Sequence, residues 1–229
     1  MQICSLIKLS LNDYPGKMAC TLFTSGCNMR CPFCHNGPLV LSHPEPEVSE
    51  EEFFEFLKKR SGILDGVCIS GGEPLLQPDI EPFMERIKAM GYSIKLDTNG
   101  TMPDKLRALC EKGLVDYVAM DIKNIKEKYA MTVGMDGFDT TKVEESVAFL
   151  LEGNVDYEFR TTIVAEFHTP QDIVGIGEWI SGAKRYFMTP FRDGETVIQS
   201  GLHAPETEDL QGFADAISPY VEAVYLRGV

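Results

Sequence analysis

Three cysteines fall within eight positions of "CNMRCPFCHNG" (27–37): Cys27, Cys31 and Cys34, with Phe33 before the third and His35 after it. A structural zinc site takes four closed ligands, usually as two pairs. No second pair follows, and His35, adjacent to Cys34, is poorly placed to complete a tetrahedron. A redox reading of Cys31 and Cys34 as a C-x-x-C pair leaves Cys27 unexplained. A [4Fe–4S] cluster on three thiolates uses all three and leaves one iron open to a substrate. The other cysteines, Cys4, Cys20, Cys68 and Cys110, are scattered as small apolar core residues usually are, and suggest no second cluster.

Four further stretches carry chemistry. "SGGEP" (70–74) sets Gly71 and Gly72 where a strand turns, so that backbone can approach a ligand, and Glu73 adds a charge suited to an ammonium group. "LDTNG" (96–100) and "MDIK" (120–123) each end an apolar strand on an aspartate. Such an aspartate is costly unless paired, so Asp97 and Asp121 are expected to face a cation, with Lys123 the obvious protein partner. A salt bridge or a turn cap accounts for these three residues without any ligand. "TPFRDG" (189–194) places Arg192 just past a later strand. His43, His168 and His203 lack such neighbours and read as loop histidines. The stretch 124–140 has weak periodicity and two glycines, which fits a mobile lid, a partner-contact loop or an ordinary long connection.

The elements that position these residues follow from period and punctuation. Strands are expected at 19–25, 66–70, 93–98, 117–123, 157–164 and 185–190, with a last one at 223–229. Helices fall between them. One begins at Ser49, whose spacing to Glu52 is that of a capping box, as is the Thr141 to Glu144 spacing of a later helix. Others run over about 79–90 and 103–112, start at Thr169-Pro170, and start near Glu206. Six β–α units in a row favour a parallel α/β sheet. All the chemically distinctive residues lie at the carboxyl ends of strands, which favours a partial (βα)6 barrel with one mouth over a flat doubly wound sheet. The expected organisation is one domain over 1–229: an N-terminal extension (1–18), the core βα units (19–190), and a C-terminal loop, helix and strand (191–229).

Bulk properties narrow the class. The chain has 229 residues, seven cysteines and a formal charge of −14. With only short basic groups such as "KKR" (58–60), a nucleic-acid groove is not expected. No apolar run is long enough for a membrane span, and the first residues lack the features of a signal peptide, so the expectation is a cytoplasmic protein. In a reducing compartment, an odd and unevenly clustered cysteine set points to metal or redox chemistry.

The pattern C-x-x-x-C-x-aromatic-C, read as Cys27, Cys31, Phe33 and Cys34, resembles the cluster motif of the radical S-adenosylmethionine (SAM) enzymes. Taken with "SGGEPLLQP", "LDTNG" and "MDIK", the stretch from 13 to 123 is most similar to glycyl-radical-enzyme activases, in particular those of anaerobic ribonucleoside-triphosphate reductase in their longer form. The resemblance implies a radical SAM fold and a [4Fe–4S] cluster on the three cysteines. It also implies SAM bound at the open iron, reductive cleavage to a 5′-deoxyadenosyl radical, and hydrogen abstraction from a glycine of a partner enzyme. Gly71, Gly72 and Glu73 would hold the methionine amino end of SAM. Asp97, Thr98 and Asp121 would sit by a monovalent cation and the SAM carboxylate, and Asp121, Ile122 and Lys123 would contact the cofactor directly. Phe33 and His35 would border the adenine. Arg192 stands where pyruvate formate-lyase activases carry a histidine, and could take over a carboxylate contact. The partners implied are a glycyl radical enzyme and a flavodoxin- or ferredoxin-type electron donor. The alternatives are another glycyl radical enzyme, such as pyruvate formate-lyase, or a small-molecule radical SAM reaction.

Overall fold

The computed structural model describes residues 1–42 and 44–228, so His43 lies outside the described residues. Eight strands form one sheet in chain order. β1 (Ser5–Ser10) runs antiparallel to β2 (Ala19–Thr24). β3 (Gly66–Gly71), β4 (Ser93–Thr98), β5 (Tyr117–Asp121), β6 (Asp156–Ile163), β7 (Tyr186–Pro190) and β8 (Val224–Leu226) then add in parallel. The sheet is not closed: β1 and β8 are its two edges. This is the partial barrel expected, with one addition. The 1–18 segment supplies β1, which pattern reading passes over because "SLIKLS" is half-exposed along most of its length and lacks a clean alternation.

Period-2 alternation gives each central strand two chemically distinct faces. Val67 and Ile69 of β3, Ile94 and Leu96 of β4, Val118 and Met120 of β5, and Tyr157 and Phe159 of β6 belong to the main apolar core. Helices α2 (Glu50–Lys59), α3 (Ile80–Ala89), α4 (Pro103–Glu111), α6 (Thr141–Leu151), α7 (Pro170–Trp179) and α8 (Thr207–Ile217) bury Phe53, Phe83, Leu106, Phe149, Ile173 and Phe213 in the same core. The intervening residues, Cys68 and Ser70, Lys95 and Asp97, Glu158 and Arg160, face the other way. The sheet is therefore greasy towards its helices and polar inside.

Ser49 and Glu52 form the reciprocal capping box that starts α2. Thr169 does the same for α7, with Asp172 as its partner. The box expected at Thr141 is not formed. That helix begins at Thr141 itself, whose backbone N–H is taken by Asp139 Oδ1 at 3.0 Å, while Glu144 accepts from the Thr140 hydroxyl. The 124–140 stretch is an ordered connection. It contains a further short helix, α5 (Lys126–Thr132), with Tyr129 and Val133 fully buried; a helix of this length leaves little periodicity to read. Another short one, α1 (Gly37–Leu41), follows the cysteine cluster.

Where β2 and β3 end side by side, their backbones approach closely. The Gly72 N–H donates to Thr24 O at 2.9 Å and the Glu73 N–H to Gly26 O at 2.8 Å. A Cβ on Gly72 would lie 1.9 Å from Gly26 O. Glycine is thus required here by the neighbouring strand end, an additional reason beyond approach to a ligand. Because the clash is with backbone, no rotamer change relieves it. Gly72→Ala is expected to cost about 3 kcal/mol of stability, at the upper end of what overpacking usually costs, read as a lowered urea midpoint with an unchanged slope.

Candidate active site

The carboxyl ends of the parallel strands enclose a pocket of about 340 Å³, within the usual range for small-molecule sites. Cys27, Cys31 and Cys34 line it, together with Phe33, His35, Gly71, Gly72, Asp97, Thr98, Asp121 and Lys123. Three expected residues do not. Glu73 is fully buried beneath the pocket, where its carboxylate accepts from the Thr98 hydroxyl (2.9 Å), the Asn99 N–H (2.7 Å) and the Leu75 N–H (3.1 Å). Burial pushes its pKa up to about 7 against those hydrogen bonds. Ile122 faces the helix-side core, its carbonyl accepting from the Thr161 hydroxyl at 2.7 Å. Arg192 is exposed and its guanidinium donates to Gly228 O at 2.6 Å, which turns it away from the pocket. Its backbone oxygen meets His35 Nε2 at 2.6 Å, so its contact with the site is made through the main chain.

The pocket's electrostatics are set by five charges in sequence: Lys95, Asp97, Arg160, Asp121 and Lys123. Lys95 pairs with Asp97 Oδ1, and Arg160 Nη2 meets Asp97 Oδ2 at 3.2 Å. Arg160 Nε reaches Asp121 Oδ1, whose other oxygen accepts from Lys123 Nζ at 2.7 Å. Burial raises the pKa of each aspartate, but the adjacent Arg160 charge, aided by Lys95 for Asp97 and by Lys123 for Asp121, more than reverses this and leaves both below the usual carboxylate value. Lys123 is held above its ordinary value because Asp121 outweighs burial. The chain of signs sums to one positive charge, which suits an anionic group such as a carboxylate. Between Asp97 and Asp121, where the resemblance implies a monovalent cation, the Arg160 guanidinium pairs with both carboxylates. Arg227 also lines the pocket, bidentate to buried Glu158 at 3.0 and 3.1 Å.

Arg160 and Arg227 were not among the expected residues. For Arg160 a signal existed: Glu158, Arg160 and Thr162 alternate with Tyr157, Phe159 and Thr161, so β6 carries charges on one face. Arg227 has no comparable signal, lying just beyond a three-residue strand. His168, a loop residue as expected, is buried. Its Nδ1 accepts from the Val164 N–H at 3.1 Å and its Nε2 lies 2.9 Å from Lys123 O, which holds the end of "MDIK" from behind. His203 is exposed and pairs with Glu166 at 2.7 Å.

The thiols fit a polynuclear cluster better than a lone ion. Among the described residues no three His, Cys, Asp or Glu converge on a point that would hold one metal ion. The three thiols instead line one shared pocket. Burial raises all three thiol pKa values, that of Cys31 to about 12, with the Lys123 charge opposing the rise. Deprotonation therefore belongs with metal loading.

A parallel, unclosed α/β sheet with three thiols at the end of its second strand and a glycine pair at the end of its third defines a class. The sequence model of the Radical SAM superfamily matches residues 21–180, and the chain belongs to that superfamily. Its members use a [4Fe–4S] cluster and SAM. A protein of Methanocaldococcus jannaschii named as a glycyl-radical enzyme activating enzyme is 32% identical over 235 residues, 99% of this chain and 96% of that one. The pyruvate formate-lyase-activating enzyme of Staphylococcus aureus is 27% identical over 219 residues, 89% of this chain and 83% of that one. In structure, Streptococcus suis SuiB bound to S-adenosylmethionine matches with a TM-score of 0.68 at 12% identity, covering 90% of this chain and 49% of that one; the likeness is one of fold. Among the described residues no helix is long and apolar enough to cross a membrane.

Two outcomes follow from the charges. Removing a partner from a buried ion pair costs about 3–5 kcal/mol. Here Arg160 keeps 26%, Asp97 13% and Asp121 26% side-chain exposure, so Arg160→Met is expected to cost about 2–3 kcal/mol after discounting for screening. Because the folded aspartates titrate below their unfolded value, that difference is full at pH 7 and closes as pH falls below about 4, which chemical denaturation at several pH values measures. His168 acts in the same direction in a higher pH window. Burial lowers its pKa from 6.5, so the unfolded chain binds the proton first and stability drops as pH falls below that value. In thermal melts from pH 7.5 to 5.5, His168→Gln is expected to lose this component of the slope.

Proposed function

We propose that the chain is an activase that installs a glycyl radical on a partner enzyme, and that the partner is anaerobic ribonucleoside-triphosphate reductase. The observation that carries the reading is the three thiols bordering one pocket with Gly71, Gly72 and a net positive run of charges, in a chain alike over nearly its whole length to a protein named as a glycyl-radical enzyme activating enzyme. Cys27, Cys31 and Cys34 would hold the cluster. When bound, the cluster and SAM supply one-electron cleavage of the sulfonium and abstraction of a hydrogen atom. The protein's part is to bind, orient and exclude water.

Lys123 and Arg160 offer cations to a carboxylate, Asp97 and Asp121 hold those cations in place, and the backbone at Gly71 and Gly72 lets an amino-acid moiety lie close. Phe33, which packs against Phe167 with ring centroids 5.9 Å apart, and His35, 5.5 Å from Phe191, present rings on which an adenine can rest. Electrons would come from a flavodoxin- or ferredoxin-type donor. The choice of reductase rests on the motif resemblance. Pyruvate formate-lyase stands as the second reading because of the Staphylococcus aureus relative.

The test is anaerobic loading with iron and sulfide, reduction with SAM present, and electron paramagnetic resonance on candidate partners. A glycyl radical on the reductase, with 5′-deoxyadenosine formed, is the expected result. A radical on pyruvate formate-lyase alone would reject the reductase, and no 5′-deoxyadenosine from a fully reduced cluster would reject the activase reading altogether.

A further inference from the structure

Asn99, the first residue after β4, is 6% exposed and lines the pocket. Its Oδ1 accepts from the backbone N–H of Thr101 at 3.0 Å and from the Thr101 hydroxyl at 2.7 Å. A backbone N–H only donates, so that end of the amide is oxygen and the opposite end is nitrogen. The Nδ2 group carries two hydrogens. One reaches Asn28 Oδ1 at 2.9 Å, and Cys27 Sγ lies 3.8 Å from the same nitrogen, in the reach of an N–H···S bond. Asn28 is fixed in turn, donating to the Thr101 hydroxyl at 2.8 Å, and the Asn99 N–H is anchored on Glu73. The amide is thereby aimed at one sulfur by groups that are all occupied.

The three thiols differ in this respect. Cys27 Sγ also receives the Met29 N–H at 3.4 Å, while among the described residues no hydrogen bond reaches the sulfur of Cys31. We propose that Asn99 is a positioning residue that sets the electron affinity of the [4Fe–4S] cluster through the sulfur of Cys27. An N–H donated to a thiolate sulfur withdraws charge from the iron behind it and stabilises the reduced state, which carries one more negative charge than the oxidised state. In a site shielded from water such a bond counts for more than it would at a surface. The proposal rests on the cluster that superfamily membership brings, and is independent of which protein receives the radical.

The experiment compares the wild-type protein with Asn99→Ala and Thr101→Val, each loaded anaerobically with iron and sulfide. Each is titrated with a chemical reductant in the presence of redox mediators, with the reduced-cluster paramagnetic signal as readout. Asn99→Ala is expected to weaken the hold on the added electron by about tenfold, about 59 mV more negative for a one-electron couple. Thr101→Val keeps the donor but removes the hydroxyl that fixes its aim, and shifts the midpoint in the same direction by less. Iron and sulfide per chain serve as the control for loading. An unchanged midpoint, or a positive shift, in fully loaded Asn99→Ala overturns the proposal. Should that variant not load, Thr101→Val decides: a negative shift upholds it and an unchanged midpoint overturns it.

Discussion

Residues 25–37 carry all three thiols with almost no repetitive structure of their own, and everything else at the site depends on satisfying and fixing that backbone. A buried loop must find partners for its N–H and C=O groups elsewhere. Here they come from separate βα connections. The Gly72–Glu73 turn bonds to Thr24 O and Gly26 O, Val133 O takes the Arg30 N–H, and the segment after β7 donates from Ile198 to Cys34 O and from Gln199 to Pro32 O. The Arg30 side chain folds back onto the carbonyls of Cys27 and Met29 at 2.6 and 2.7 Å. The thiol loop is thus held from several sides by parts of the chain far apart in sequence.

Those contacts explain features that look unrelated along the chain. Gly37 is a glycine because the segment after β7 presses on it; a Cβ there would stand 2.4 Å from Thr196 O. The 124–140 connection is ordered because Val133 is both buried and a backbone partner of the thiol loop. Arg192 serves the site by its carbonyl, which meets His35, and by its side chain, which holds Gly228 beside pocket-lining Arg227. Each is a case of one βα connection fixing another, which brings strand ends into a common mouth.

Much of this architecture is legible from residues alone because it follows strong local rules. Alternation marks the strands, Ser49 with Glu52 marks α2, and an unmatched cysteine triad marks the cluster loop. What escapes depends on long-range geometry. Nothing local says that Glu73 turns under the pocket to hold Thr98 and Asn99, since a carboxylate after two glycines looks equally suited to a ligand. Nor does "MDIK" reveal that its aspartate is shared with an arginine of the next strand. The Thr141 box fails for a smaller reason: Asp139, two residues upstream, competes for the same backbone donor and wins it. His168 is hidden because its partners, Val164 and Lys123, lie on two different strand ends.

The polar inner face of the sheet is the costlier half of the design. Charged groups such as Lys95, which is 1% exposed, would be destabilising if isolated. They are tolerated because each opposite sign lies close by: Lys95 with Asp97 on one strand, Arg160 reaching Asp121 on the adjacent strand and Asp97 one strand further on, and Asp121 with Lys123 at one strand end. Within this run three cations stand against two carboxylates, an excess of one positive charge. The interior is therefore nearly self-neutral in the absence of ligand and completed by an anion. That allows a protein whose overall charge is −14 to offer a locally positive site beside three thiols that become negative on metal loading.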